Sequence, residues 1–405
     1  MKLKLNSEFG TLRRVIMHRP GQEIERLTPQ NSSELLFEDV PYLESMQKEH
    51  DEFFNVIKST TDAMVYRLRQ LLLDVVKQDV FKESILLDAL ARSSHEEVCG
   101  DIMSCFSTAE IVTMLIAGIR ADELKRKVPA LRNRKFDSNY YIIHPSPNMY
   151  FMRDPAAVTQ NGVISSNMKF SGRQFESHLL KLIFKHHPDF KDAYHEVFPG
   201  DDISTIPTIE GGDVMVISPK VLAIGCSERT ESAAIEKVAK NVLSGGIVER
   251  VYEVKLPGRR NYMHLDTVFT VVDENLVVTY PEAIDSLQET YVHRISSMDN
   301  NRKFIMHKEA VQQSLITILK NEISHLEVIE TGYGHPDHSS REQWYDGANV
   351  FALGPRRVIS YDRNKHTNRA LRDRGVDVIE IRSSELSRGL GGPRCMTMPI
   401  ERDDI

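Results

Sequence analysis

This chain has no surplus of basic residues, no long apolar run and few cysteines. Its 405 residues carry 51 Lys plus Arg against 58 Asp plus Glu, a formal charge of −7. That balance leaves no electrostatic footprint for nucleic acid. No run of about 18 apolar residues occurs, so no membrane partner is expected, and the opening MKLKLNSEFG turns polar before an export signal develops. The expected location is the cytoplasm. Cys99, Cys105, Cys226 and Cys395 are too scattered for a disulfide framework and lack the CxxC spacing of zinc or redox sites. A reduced thiol is therefore available for chemistry. What the chain does have is 41% hydrophobic content, enough core for one large or two ordinary domains.

One plan recurs along it. RDPAAVTQNGVISSN, GGDVMVISPKVLAIG, HLDTVFTVVDENLVVT and YDGANVFALGPRRVISY each set an acid ahead of an apolar or alternating run, a turn and a second run. Each reads as a β-hairpin, with Gln160-Asn161-Gly162, Pro219, Asp273-Glu274 and Gly354-Pro355 supplying turn chemistry. Helical stretches follow three of them (RQFESHLLKLIFKHH, ERTESAAIEKVAKNVL, NKHTNRALRDRGV), and VERVYEVKL and VDVIEIR add a further strand to the last two. The unit is β-β-α-β. LRRVIMHRP, HDEFFNVIKS and AMVYRL read as a fifth copy lacking its first strand, which a C-terminal segment would supply to close a ring. Residues 68–138 break the plan: RQLLLDVV, SILLDAL and STAEIVTMLIAGI are apolar at helical spacing, and Ser94/Glu97 and Ser107/Glu110 have capping-box spacing. This stretch is read as a helical domain inserted into a repeat-built body of residues 1–67 and 139–405.

In such an arrangement the starts of the first strands converge, bringing together Asp154, Glu210 with Asp213, His264 with Asp266, and Asp346 with Asn349. In MHLDTVFT, His264 and Asp266 alternate with Leu265 and are expected on one strand face. Cys395 sits in GGPRCMTMP, where paired glycines and a proline predict a loop. A thiol, an imidazole and one orienting carboxylate would suffice for a cysteine protease. Two further carboxylates would repel its oxyanion, but they suit a cation, and a planar guanidinium takes both in bidentate fashion.

PNMYFMRDP, IEGGD, MHLDT and GGPRCMTMP resemble, in this order, the signature segments of the arginine deiminase family of guanidine-modifying penteins. Similar stretches run from Met17-His18-Arg19-Pro20-Gly21 through LLFEDVPYL to the C-terminus. The resemblance implies a five-bladed α/β propeller of ββαβ units with a helical insertion. It also implies hydrolysis of L-arginine to L-citrulline and ammonia with no metal or organic cofactor, by a chain expected to form a homo-oligomer. Carried over, it makes Cys395 the nucleophile and His264 the acid and then base. Asp154 and Asp266 grip the guanidinium, and Glu210 supports them. Asn148 and Phe151 contact substrate, and Arg173 and Arg229 receive its α-carboxylate. Met152, Phe175 and Leu390 depart from common family residues, and Leu390 implies an empty site with no arginine latch across the carboxylates. Two alternatives stay open: action on another guanidine, such as agmatine or by amidino transfer, and a degenerate arginine-binding pentein.

Overall fold

Five small sheets of one design account for most strands in the computed structural model, which describes residues 3–136, 141–198, 206–287, 289–298 and 304–405. In each, a central strand pairs antiparallel with one neighbour and parallel with the strand that returns after a helix. Blade two is Ala156–Thr159, Gly162–Ser165, helix Ser171–His186 and Glu196–Phe198. Blade three is Val214–Ser218, Val221–Cys226, helix Ser232–Ser244 and Arg250–Lys255. Blade four is Phe269–Asp273, Leu276–Thr279, helix Leu315–Glu322 and Glu327–Glu330. Blade five is Phe351–Gly354, Arg357–Tyr361, helix Lys365–Arg372 and Asp377–Ile381. The hairpins turn tightly because the residues expected to turn do so, Gly162 at φ 133° among them.

Blade one is assembled from both ends of the chain. Leu12–Met17 runs parallel to Met64–Arg67, across helix Leu43–Thr60, and antiparallel to Met398–Arg402. The C-terminal strand thus supplies what the first copy lacks. Blade one then touches blade two and blade five, and every other blade touches the next in order, so the five form a closed ring.

Several features were not read from the sequence, among them the helix Leu315–Glu322 and the returning strand Glu327–Glu330 of blade four. A long hairpin, Thr290–Met298 with Phe304–Val311, interrupts blade four and adds to the sheet of blade three. Strand Glu196–Phe198 was also missed, being only three residues long.

The inserted stretch folds as helices Leu68–Val76, Asp79–Ala91, Cys99–Cys105, Thr108–Ala117 and Ala121–Lys127. Ser107 and Glu110 form the expected capping box. Ser94 does not cap: it sits at φ 58° in a turn, and the next helical turn starts from His95. The expected boundary at 138/139 lies outside the described residues. The insert's Leu72, Ile111 and Leu115 share one apolar core with Leu179 and Ile183 of blade two, so the helices pack on the ring without a separate core.

Candidate active site

Short turns, not strands, carry the candidate site. Pro147–Tyr150 precedes blade two, Gly211–Asp213 precedes blade three and Leu265–Thr267 precedes blade four, each as a single 3-10 turn. The strand expected to hold His264 and Asp266 begins only at Phe269. The reason is local: Thr267 Oγ1 donates to the His264 carbonyl at 2.6 Å, and the Leu265 N–H donates to Asp213 Oδ1 at 2.9 Å. These bonds take the place of a sheet ladder.

The turns meet under the C-terminal loop. His264 Nε2 lies 2.8 Å from Glu210 Oε2, and its Nδ1 lies 3.7 Å from Asp154 Oδ1. Cys395 Sγ lies 3.6 Å from Asp266 Oδ2. Cys395 is 4% exposed and His264 1%, so water barely reaches either. Two glycines permit the approach. A Cβ on Gly212 would fall 2.6 Å from His264 Nδ1, and one on Gly391 would fall 2.2 Å from the Phe151 ring.

Asp154, which lines the cavity, and Asp266, buried against the thiol, are each already half engaged. Arg173 Nη1 donates to Asp154 Oδ2 at 2.7 Å, and Arg394 Nη1 donates to Asp266 Oδ2 at 2.6 Å. The other oxygens, Asp154 Oδ1 and Asp266 Oδ1, are buried with no hydrogen-bond partner among the described residues. An unpartnered buried carboxylate oxygen is costly, so these two mark where a donor is missing. The expectation of a site without a latch thus needs correction: no Arg stands at 390, but Arg173 occupies Asp154.

Burial first, then Asp266, Asp154 and Asp346, push the Cys395 thiol well above its usual range. Burial would depress His264, but Asp154, Glu210 and Asp213 outweigh it and hold the imidazolium to about 9. Glu210, despite burial, is drawn down to about 2 by Arg229, His264 and Arg173. The empty site therefore holds a neutral thiol beside a protonated imidazole.

Around this centre lies a narrow cleft, about 370 Å³ counted with its open mouth, reached by Asn148, Phe151, Arg173, Arg229 and Leu390. Arg173 also bonds Glu176 Oε2, at 3.0 Å from Nε and 2.8 Å from Nη2. Arg229 stacks 4.6 Å from the Phe170 ring centroid and reaches Glu210 at 3.4 Å, while its buried Nε–H, 3.9 Å from Glu228 Oε1, has no hydrogen-bond partner among the described residues. Asn148 holds the Leu35 carbonyl at 2.8 Å, steadying the segment whose Leu36 also lines the cavity. Of the departures only Leu390 lines it, in the left-handed region at φ 59°, a conformation uncommon for a bulky residue. Met152 and Phe175 belong to the apolar core, and Phe175 packs under Arg92. Ligand atoms of Asp154, Glu210 and His264 lie within 4.8 Å of one another, a spacing a cation could use, but Arg173, Arg229 and His264 already engage these carboxylates.

The sequence model of arginine deiminase matches residues 33–402. This chain belongs to the arginine deiminase family. It is 38% identical over 420 residues to the arginine deiminase of Oenococcus oeni, covering all of this chain and 98% of that one. It is 37% identical over 411 residues to that of Staphylococcus aureus, covering 100% and 99%. Among solved structures it is similar in fold to an amidinotransferase of Microseira wollei, at TM-score 0.60 and 14% identity over 100% and 98% of the chains. A dimethylarginine dimethylaminohydrolase adduct matches at TM-score 0.53 and 14% identity over 96% and 99%. The fold is the pentein propeller.

Membership of the arginine deiminase family does not itself name the residues that sequence reasoning missed. Arg394, next to the cysteine, is pinned by Glu8 at 3.1 and 3.3 Å and by the Val214 carbonyl at 2.9 Å. Asn349 accepts the Cys395 N–H at 3.0 Å and donates to the Asp266 carbonyl at 2.9 Å, joining the C-terminal loop to the His264 turn. Asn349 was visible as a repeat position. Glu8, 386 residues from Arg394, carried no such signal.

Proposed function

We propose that the cavity receives L-arginine with its guanidinium between Asp154 Oδ1 and Asp266 Oδ1, and that Cys395 and His264 hydrolyse it to L-citrulline and ammonia. The observation that carries this reading is that pair of buried, unpartnered oxygens beside one thiol. Guanidinium N–H groups satisfy both, and the fixed positive charge offsets the carboxylates that hold the thiol neutral. Ionisation of Cys395 is thereby driven by substrate. The thiolate adds to the guanidinium carbon, and His264, protonated at neutral pH, gives its proton to the departing nitrogen, which leaves as ammonia. The remaining carbon stays bonded to Sγ as a thiouronium. Neutral His264 then takes a proton from water, hydroxide adds to the same carbon, and the C–S bond breaks to release citrulline and the thiol. These steps use only side chains and water. Glu210, bonded to His264 Nε2, holds the ring and sustains its charge.

Arg173 and Arg229 take the substrate's α-carboxylate, while Asn148 and Phe151 border its chain. Arg173 turns part of its fork from Asp154 and Glu176 to do so. Burial lifts Glu176 to about 7, so it can go neutral when released. The chain acts in the cytoplasm as a homo-oligomer, which light scattering checks. Citrulline release from arginine, measured beside turnover of agmatine, tests the assignment. Agmatine offers no carboxylate to draw Arg173 from Asp154 and Glu176 or to engage Arg229, so it is a very poor substrate. Comparable kcat/KM for the two would overturn the roles of both arginines.

A further inference from the structure

An open surface cleft lies apart from the one at Cys395, between helix Pro336–Trp344 and the start of helix Lys365–Arg372 of blade five, with Arg341, Arg363, Lys365 and His366 exposed. His338, Arg341, Arg363, Lys365 and His366 line it with Glu342 and Tyr345, around about 690 Å³ including its open mouth. Five of the seven lining side chains are cationic or can become so, in a chain of formal charge −7. The one acid is spent elsewhere. Glu342 accepts the His366 and Thr367 N–H groups at 2.8 Å each and the Thr367 hydroxyl at 2.6 Å, at the start of helix Lys365–Arg372. Arg341 and Lys365 form no ion pair among the described residues. The His338 and His366 rings stack at 3.7 Å, and the Arg363 guanidinium lies 3.7 Å from the Tyr345 ring centroid. Cations gathered this closely repel one another, and guanidinium forks with ammonium and imidazole donors suit an oxyanion of more than one charge.

We infer that this cavity binds a phosphate group, free or on a small metabolite, and that its occupancy acts on the loop carrying Cys395. Two connections lead there. Arg363 Nη1 donates to Ser387 Oγ at 2.7 Å, and Ser387 belongs to the turn Leu386–Gly389 that runs into Leu390 and the cysteine loop. On the other side the Glu342 carbonyl accepts the Gly347 N–H at 2.8 Å, fixing the turn that presents Asn349 to the Cys395 N–H. An oxyanion on Arg363 competes with Ser387 for the guanidinium and frees the loop's entry.

The chain's single tryptophan, Trp344, ends helix Pro336–Trp344 one residue before Tyr345 of the cleft lining and serves as the fluorescence reporter. Inorganic phosphate is titrated into the full chain at constant ionic strength set with chloride, followed by Trp344 fluorescence and by equilibrium dialysis of labelled phosphate. Saturable binding, one per chain, is expected. The double variant Arg341→Ala/Lys365→Ala weakens it by about tenfold or more through loss of charge-assisted hydrogen bonds. Saturating phosphate lowers kcat/KM for arginine by about fivefold in the parent and leaves the double variant unchanged, with both equal when phosphate is absent. ADP displacing the label more tightly than phosphate itself assigns an esterified ligand, and the reverse order assigns the free ion. Non-saturable binding, or equal affinity in the double variant, overturns the site whether or not the chain turns over arginine. Saturable binding that leaves kcat/KM unmoved overturns the coupling.

Discussion

Asp154 and Asp266 flank the same centre, one at His264 and the other at Cys395, yet their arginines are anchored in opposite ways. Arg394, which holds Asp266, is locked by Glu8 and by the Val214 carbonyl. Glu8 is drawn down to about 2 against its burial, chiefly by Arg394 and Arg153, so it stays charged over the physiological range. Arg173, which holds Asp154, has Glu176 as its other partner. Burial lifts that carboxyl to about 7, and its Oε1 is unpartnered among the described residues. One half of the site is a fixed frame, and the other holds an arginine whose partners can change. Under the proposed reading, the difference puts the substrate's carboxylate on the Arg173 side, where one negative group can be exchanged for another.

The frame is tested most severely at the thiol it positions. Cys395→Ala abolishes citrulline formation while calorimetry still detects arginine binding, and rapidly quenched parent enzyme carries an amidino adduct by mass spectrometry. Turnover surviving in the alanine variant would reject covalent catalysis.

The contrast between the arginines is next. Arg394→Ala strands Glu8 and Asp266 and destabilises the fold by about 3–5 kcal/mol in urea denaturation, the usual cost of breaking a buried pair. Arg173→Ala costs clearly less, because Glu176 answers by taking a proton, and its main effect is a raised KM. Equal losses of stability would erase the distinction between frame and receiver.

Proton supply can be separated from both. Glu210 helps hold His264 to about 9, so the parent's kcat/KM falls at alkaline pH as that proton is lost. Glu210→Gln removes a charge that favours the imidazolium, and the alkaline limb moves to lower pH. A limb that stays in place would assign it to another group.

The smallest effect belongs to Leu390→Arg. A new guanidinium there competes for the free Oδ1 atoms and raises KM with little change in kcat, since the loss falls on binding of the ground state and transition state alike. An unmoved KM would place the new side chain outside the cavity.

Much of this was visible before any coordinates. The acids ahead of each hairpin, the thiol just after a glycine pair and a proline, and the missing first strand all follow from local pattern, because turn chemistry and alternation are properties of neighbouring residues. The same locality explains the errors. Alternation in MHLDT fits a strand as well as a turn, and the long-range bond from Leu265 to Asp213, added to the local one from Thr267 to His264, decides for the turn. Ser94 has a capping partner at the right spacing but the wrong backbone, at φ 58°.

Residue order alone therefore established the repeat and the closure of the ring by its two ends, and it pointed to the groups proposed to act on a guanidinium. Tertiary structure decided which oxygen of each carboxylate is left free, which arginine is locked, and that the resting thiol is neutral beside a charged imidazole. Those outcomes depend on desolvation and on distances between groups up to 386 residues apart in the chain, and both come into existence only when the ring closes around them.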